Sequence, residues 1–169
     1  MDLDIQALFS HYLKQLEGMV AQVPAGCFDK SLSDTMFSLA MNAKIASNFA
    51  LRGYCPLVGV EPVSFDTSAE DKASVLTQIQ ATLSYLNTLS AVDSLDNQSY
   101  VSDTAGFAKL QFGQPEFLHQ YILPNFFFHI SMLYAIAKLN GVVLSKADYD
   151  GYHAYPAGFS FVNPAAQGG

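Results

Sequence analysis

The sequence predicts an all-α fold: an antiparallel four-helix bundle, with a short β-ribbon before its last long helix. Three observations lead there. Long apolar stretches carry helical spacing, with large side chains at i, i+3 and i+4. Segments rich in Pro, Gly and Ser separate them. No internal repeat and no strand–helix alternation interrupts the pattern, so a parallel sheet is not expected. The 169 residues are 50% hydrophobic and 14% charged, enough for one domain to bury a core. The body is read as 1–150, with 151–169 as a C-terminal tail.

The first helix is expected over 3–22, where Ile5, Leu8, Phe9, Tyr12, Leu13, Leu16, Met19 and Val20 form one stripe. His11 lies away from that stripe, beside Gln15, and reads as solvated. Pro24 and Gly26 end the helix. Ser31 or Ser33 is placed to cap a second helix over 34–52, closed by Gly53. That helix is apolar nearly all round (Met36, Phe37, Leu39, Met41, Ile45, Phe49, Leu51), so it is covered on more than one side, by bundle neighbours or by a second subunit. Residues 54–66 read as a loop. Thr67 and Glu70 have the spacing of a capping box for a third helix to about residue 90, with Val75, Leu76, Ile79, Leu83 and Leu86 inward.

Residues 99–114 alternate loosely around Ala105-Gly106, as a two-stranded ribbon or an irregular segment does. Pro115 opens a helical turn through Tyr121. Pro124 suits the first position of a new helix, where its missing N–H costs nothing. That last long helix runs to Asn140, and Gly141 supplies the left-handed residue after it. Phe126, Ile130, Leu133 and Ala137 form its core face. Phe128, Met132, Ala135 and Leu139 form a second apolar face, which points to a homodimer contact or a covering segment. The tail reads as coil, anchored by its aromatic residues and frayed at the end.

Charge excludes some partners. Fifteen acids against 8 bases leave a net charge of −7 with no basic stripe, which disfavours nucleic acid and anionic membrane surfaces. The acidic N-terminus lacks the basic region of a signal peptide. The apolar run around Pro124, Asn125 and His129 reads as too short and too polar to span a bilayer. Cys27 and Cys55 form no metal or redox motif and are read as two free thiols in the cytoplasm, with a bridge between them as the alternative.

His129, in PNFFFHISMLYAIAKLNG, is the residue that invites chemistry. Helix-borne metal sites pair ligands at i and i+3 or i+4. Here those positions hold Met132 and Leu133, so a metal would need Asp34, Asn42, Asn48, His119 or His153 from elsewhere. The alternatives are an imidazole held by one hydrogen bond from a neighbouring helix, or a small polar pocket with Asn125 and groups on the second helix. In such a pocket His129 binds a ligand or acts as a general base near neutral pH. Asn125 suits capping duty beside Pro124, and Asp34 suits the helix dipole. There is no nucleophile elbow or glycine-rich phosphate loop, and paired carboxylates are scarce: Glu70-Asp71 falls in a helix first turn, where acids belong anyway.

The stretch Pro124-Asn125-Phe126-Phe127-Phe128-His129 resembles the PNFxFH signature of a bacterial and fungal family of unknown function in the DinB/YfiT-like superfamily. Tyr134-Ala135-Ile136 and Gly141 to Tyr149 are similar as well, with Ser145 where the family usually has Gly. Met36-Phe37-Ser38-Leu39 resembles a Met-Phe-Pro-Leu segment, and Asp34 falls one place from the family's acidic residue. The resemblance implies a four-helix bundle, often dimeric. DinB-like enzymes hold a divalent metal with one His on the second helix and a His-x3-His pair on a later one. This sequence has no His on the second helix and Leu133 in place of the pair. The expected function is therefore a cytoplasmic binding or interaction protein without a metal cofactor. Its pocket uses His129, Asn125, Asn42 and Asp34, and takes a small-molecule ligand; no catalytic residue is assigned. The alternative is a DinB-like enzyme, a thiol-dependent transferase or hydrolase, with His129 on a divalent metal such as Zn or Ni.

Overall fold

The computed structural model describes residues 4–162. Asp4 caps α1 (Ile5–Gln22) by accepting the Ala7 amide at 2.8 Å. Ile5, Phe9, Leu13, Leu16, Met19 and Val20 are its buried face, as the spacing predicts. A single 3₁₀ turn, Ala25–Cys27, follows.

Helix α2 (Leu39–Leu57) starts later than a cap at Ser31 or Ser33 would place it. Those hydroxyls are occupied locally, Ser31 with the Ser33 carbonyl and Ser33 with Thr35. Ser38 is the cap, accepting the Met41 amide at 3.1 Å. Gly53 does not close the helix. It is buried within it, and a Cβ there would overlap Cγ2 of Ile122. The glycine serves close approach between helices rather than a left-handed turn. α2 packs against α1, α3 and the last long helix, which explains its lack of a polar face.

The expected capping box at Thr67 and Glu70 does not form. Asp71 caps α3 (Lys72–Leu86), accepting the Ser74 amide at 2.9 Å. Thr67 and Ala69 instead offer their carbonyls to Lys44, and Glu70 accepts from Ser38. Lys44 is only 3% exposed and pairs with Asp66 at 2.7 Å, so one buried cation staples the loop before α3 onto α2.

The ribbon forms: β1 (Tyr100–Ala105) pairs antiparallel with β2 (Ala108–Gly113), and Gly106 takes φ +58° in the turn. Arg52 of α2 reaches across to it, bonding Asp103 at 2.7 Å, the Thr104 carbonyl at 3.2 Å and the Tyr121 hydroxyl at 3.1 Å.

Pro124 stands in the first turn of the regular α segment Leu123–Leu139, as expected, but that segment continues an earlier helix rather than starting a new one. One helix, α4, runs Gln114–Leu139, and its segment Phe117–Ile122 has π geometry. The wider ladder ends with the Leu123 amide on the Leu118 carbonyl, and Pro124, with no N–H to give, comes directly afterwards. The fused helix has the length and composition of a membrane span. In this fold its Phe117, Leu118, Ile122, Phe126, Ile130, Leu133, Ile136 and Ala137 are buried in the protein core. Phe9 packs edge-on to Phe126 at 5.1 Å and to Tyr54 at 6.5 Å.

Gly141 takes φ +80° after α4, and the Val142 amide returns to the Ala137 carbonyl at 3.0 Å. A short α5 (Lys146–Asp150) follows behind a Ser145–Asp148 capping box. It is fastened to α1 by three polar side chains, among them His11, the one expected to face water. Gln15 donates to the Ala147 and Asp148 carbonyls, Gln22 to the Asp148 carboxylate, and His11 meets the Asp150 carbonyl at 2.7 Å. Tyr152 stacks on His11 at 5.0 Å. The described part of the tail is coil rich in ring contacts; the expected fraying falls on 163–169, outside the described residues. The result is a mostly helical fold with one two-stranded sheet.

Candidate functional site

His129 sits on α4 where α4 packs against α2, and it is 7% exposed. Its Nδ1 lies 2.9 Å from Oδ1 of Asn42 on α2. The Asn42 amide group fixes the direction of that bond. Nδ2 donates to the carbonyls of Phe37 at 3.1 Å and Ser38 at 2.9 Å, so Oδ1 is the acceptor left for the ring. His129 therefore carries its proton on Nδ1 and its lone pair on Nε2. Among the described residues no group pairs with Nε2.

Rings surround the imidazole. Phe49 stacks on it at 5.9 Å and 20°, Phe128 meets it edge-on at 5.1 Å, and Phe37 is tilted at 6.3 Å. Phe49 is buried, whereas Phe37 and Phe128 are 55% and 50% exposed. The Arg52 guanidinium lies 4.6 Å from the centre of the same Phe49 ring. Burial among these rings pushes the His129 pKa down from 6.5 to about 4. At neutral pH the imidazole is uncharged and only weakly basic. That corrects the expectation of a base poised near neutrality; Nε2 is better suited to accepting a hydrogen bond than to removing a proton.

The other expected site residues fall in different places. Asn125 donates its side-chain amide to the Tyr121 carbonyl at 2.7 Å, stitching the end of the π segment. Asp34 lies exposed in a turn before α2. Asn48 is committed to Ser64 and Gln78, His153 pairs with Asp150, and His119 is exposed. Of the partners considered for His129, only Asn42 bonds it. No group of three or more His, Cys, Asp or Glu gathers among the described residues in a way that could hold a metal ion. Cys27 and Cys55 are free thiols. Sequence reasoning missed Phe49 and Arg52 as neighbours of the site, although Asn42, Phe49 and Arg52 follow one face of α2 at steps of seven and three.

With this geometry in hand, the relatives carry more meaning. The model of a domain of unknown function, DUF1993, matches residues 5–150. The chain belongs to the DUF1993 family. The match takes in all four long helices and α5 of this DUF1993 protein, and so both His129 and Asn42. A solved structure, that of a DinB family member protein from Shewanella denitrificans, is similar over 90% of this chain and 92% of that one. The TM-score is 0.74 at 26% identity. No curated protein matches the chain. The likeness supports a DinB-like fold, while the family description names no activity.

Proposed function

We propose that this DUF1993 protein is a binding protein whose ligand sits on Nε2 of His129, without a catalytic metal. The bond between Nδ1 and Asn42 carries the reading. It fixes the tautomer, aims a lone pair away from Asn42, and leaves that lone pair unmatched among the described residues. A ligand that suits the place offers one hydrogen-bond donor and a flat apolar body to lie against the exposed rings of Phe37 and Phe128. Phenols and indoles have that form. A divalent cation fits poorly. One imidazole nitrogen is available, the adjacent amide oxygen already accepts a proton, and among the described residues no group of three or more His, Cys, Asp or Glu gathers there. In this reading the four long helices form one bundle. The protein is a cytoplasmic dimer, and Leu139 and Val143, 68% and 89% exposed, belong to the surface that a second copy covers.

The test is a ligand-observed NMR screen with phenol and indole fragments, followed on the ¹⁵N resonances of the His129 ring. The expected result is saturable binding that shifts Nε2 and is lost in His129→Phe. Zinc or nickel recovered in stoichiometric amount and lost with His129 overturns the reading. The second reading, a metal-dependent enzyme with His129 on the ion, is what the sequence's resemblance to DinB-like enzymes implies, and the solved neighbour is described as a DinB family member. That same metal analysis separates the two.

A further inference from the structure

The geometry points to a second binding site, on the other side of α4, for a small organic anion with an apolar body. Ser131 follows His129 by two residues, a rotation of about 200° around the helix, so the two residues face opposite ways. On the Ser131 side a cavity of about 530 Å³ opens between α4, α5 and the tail. That volume lies within the range of pockets that enclose small ligands.

The walls are aromatic. Tyr134 comes from α4, Tyr149 from α5, and Tyr155, Phe159 and Phe161 from the tail. The tail rings hold one another in place: Tyr155 stacks on Phe159 at 5.2 Å, and Phe161 stands edge-on to both, at 5.5 Å and 4.7 Å. This clustering spares them little water, since Phe159 and Phe161 remain 36% and 76% exposed. A guest lying against them would bury that apolar surface.

The charge is cationic in a chain whose net charge is −7. Lys138 and Lys146 both line the cavity. Lys138 gives one hydrogen to the Leu144 carbonyl at 2.9 Å, which leaves two donors on its ammonium. Lys146 has neither an ion pair nor a hydrogen bond among the described residues. The nearby acid, Asp148, is committed elsewhere: one carboxylate oxygen accepts from Gln22 and the other from Ser145. Hydroxyls of Tyr134 and Tyr155 add donors without partners among the described residues. Two ammonium groups and phenolic donors over an aromatic wall suit an aryl or acyl carboxylate, and they repel an organic cation.

The experiment compares 1-naphthoate with 1-naphthalenemethanol and 1-naphthylmethylammonium by calorimetry and amide chemical-shift mapping on the full chain. Naphthoate is expected to bind at least about tenfold more tightly than the alcohol, with shifts at Ser131, Tyr134, Tyr149 and Tyr155 and none at His129. The double variant Lys138→Met/Lys146→Met should erase the preference for the acid while still binding the alcohol. That outcome shows that the site is intact. His129→Phe should leave naphthoate binding unchanged, so failure of the Nε2 reading and failure of this one are distinguishable. Equal affinity for acid and alcohol overturns the proposal, as does preference for the ammonium. Loss of binding on dilution of the protein does so too, since it would make the face a contact between copies of the chain.

Discussion

Lowering the pH from 7 to 5 should weaken the folded protein through His129 in a calculable way. In the unfolded chain the imidazole takes a proton near 6.5; in the fold, burial alone holds it at about 4. Above 6.5 both states are neutral, so the ring contributes no pH dependence. Between 6.5 and 4 the unfolded state binds a proton that the folded state refuses, so stability falls as pH falls, by about 1.4 kcal/mol per pH unit. The loss at pH 5 is roughly 2 kcal/mol, levelling near about 3 kcal/mol below pH 4. The ring is 7% exposed and no charged partner contributes to its shift, so little screening is available to reduce this.

The assay is urea unfolding at both pH values for the natural protein and His129→Asn. The Asn amide nitrogen can stand in for Nδ1 and keep the bond to Asn42, but it does not titrate. Every carboxylate and the other three histidines act alike in both proteins, so the difference of differences isolates one ring. The natural protein should lose roughly 2 kcal/mol more than the variant between the two pH values. Parallel losses would refute the reasoning, as would an NMR titration of His129 with its midpoint near 6.5.

Gly53→Ala should cost about 1–3 kcal/mol by overlap with Ile122, and much less in an Ile122→Ala background, read by thermal unfolding of the double-mutant cycle. Lys44→Met should cost roughly 1–3 kcal/mol and expose the loop before α3 to limited proteolysis, because two carbonyls and Asp66 lose their donor together. Cleavage sites and rates unchanged from the natural protein would show that Lys44 does not hold that loop. Arg52→Met with Asp103→Asn should reveal a coupling of about 1 kcal/mol that shrinks with added salt, the pair being part-exposed; amide exchange in the ribbon should quicken in either single variant. Leu139→Glu should shift the protein to monomer in sedimentation if a second copy covers that end of α4.

The helices are legible in the sequence where a buried stripe sets them, and so are the end of α1 at Gln22 and the glycine after α4; the starts of α2 and α3 are not. α1 shows why the stripe is dependable: each of its buried residues falls on the expected face, because apolar burial depends only on spacing. Those starts depend on competition between short polar groups. Ser31, Ser33, Thr67 and Glu70 all have suitable chemistry for caps, yet Ser38 and Asp71 do the capping. Ser31 and Ser33 engage their hydroxyls with Ser33 and Thr35 close by, whereas Glu70 accepts from Ser38 and the Thr67 carbonyl from buried Lys44, partners that sequence proximity does not reveal. His11 reads as solvated for the same reason; the face is polar, and α5 presents a carbonyl that suits it.

The site was legible to a similar degree, and α4 explains the boundary. His129 stands out because it is a lone imidazole in an apolar run, and a buried ring nitrogen needs a partner. Asn42 lies 87 residues away, so nothing local could single it out from the other polar residues considered. Pro124 obscured the geometry further. Read as a helix start, it separates Tyr121 from His129; in the fold the π segment carries the helix through, and Tyr121 and His129 both reach Phe49. The Phe49 ring is also where Arg52 rests, and Arg52 bonds both Tyr121 and Asp103 of the ribbon. A change at the ribbon therefore has a physical route to the imidazole, through Arg52 and one shared ring. If that route carries energy, Asp103→Asn should move the His129 titration while leaving its bond to Asn42 in place. An unmoved titration would confine the Arg52 network to holding the ribbon.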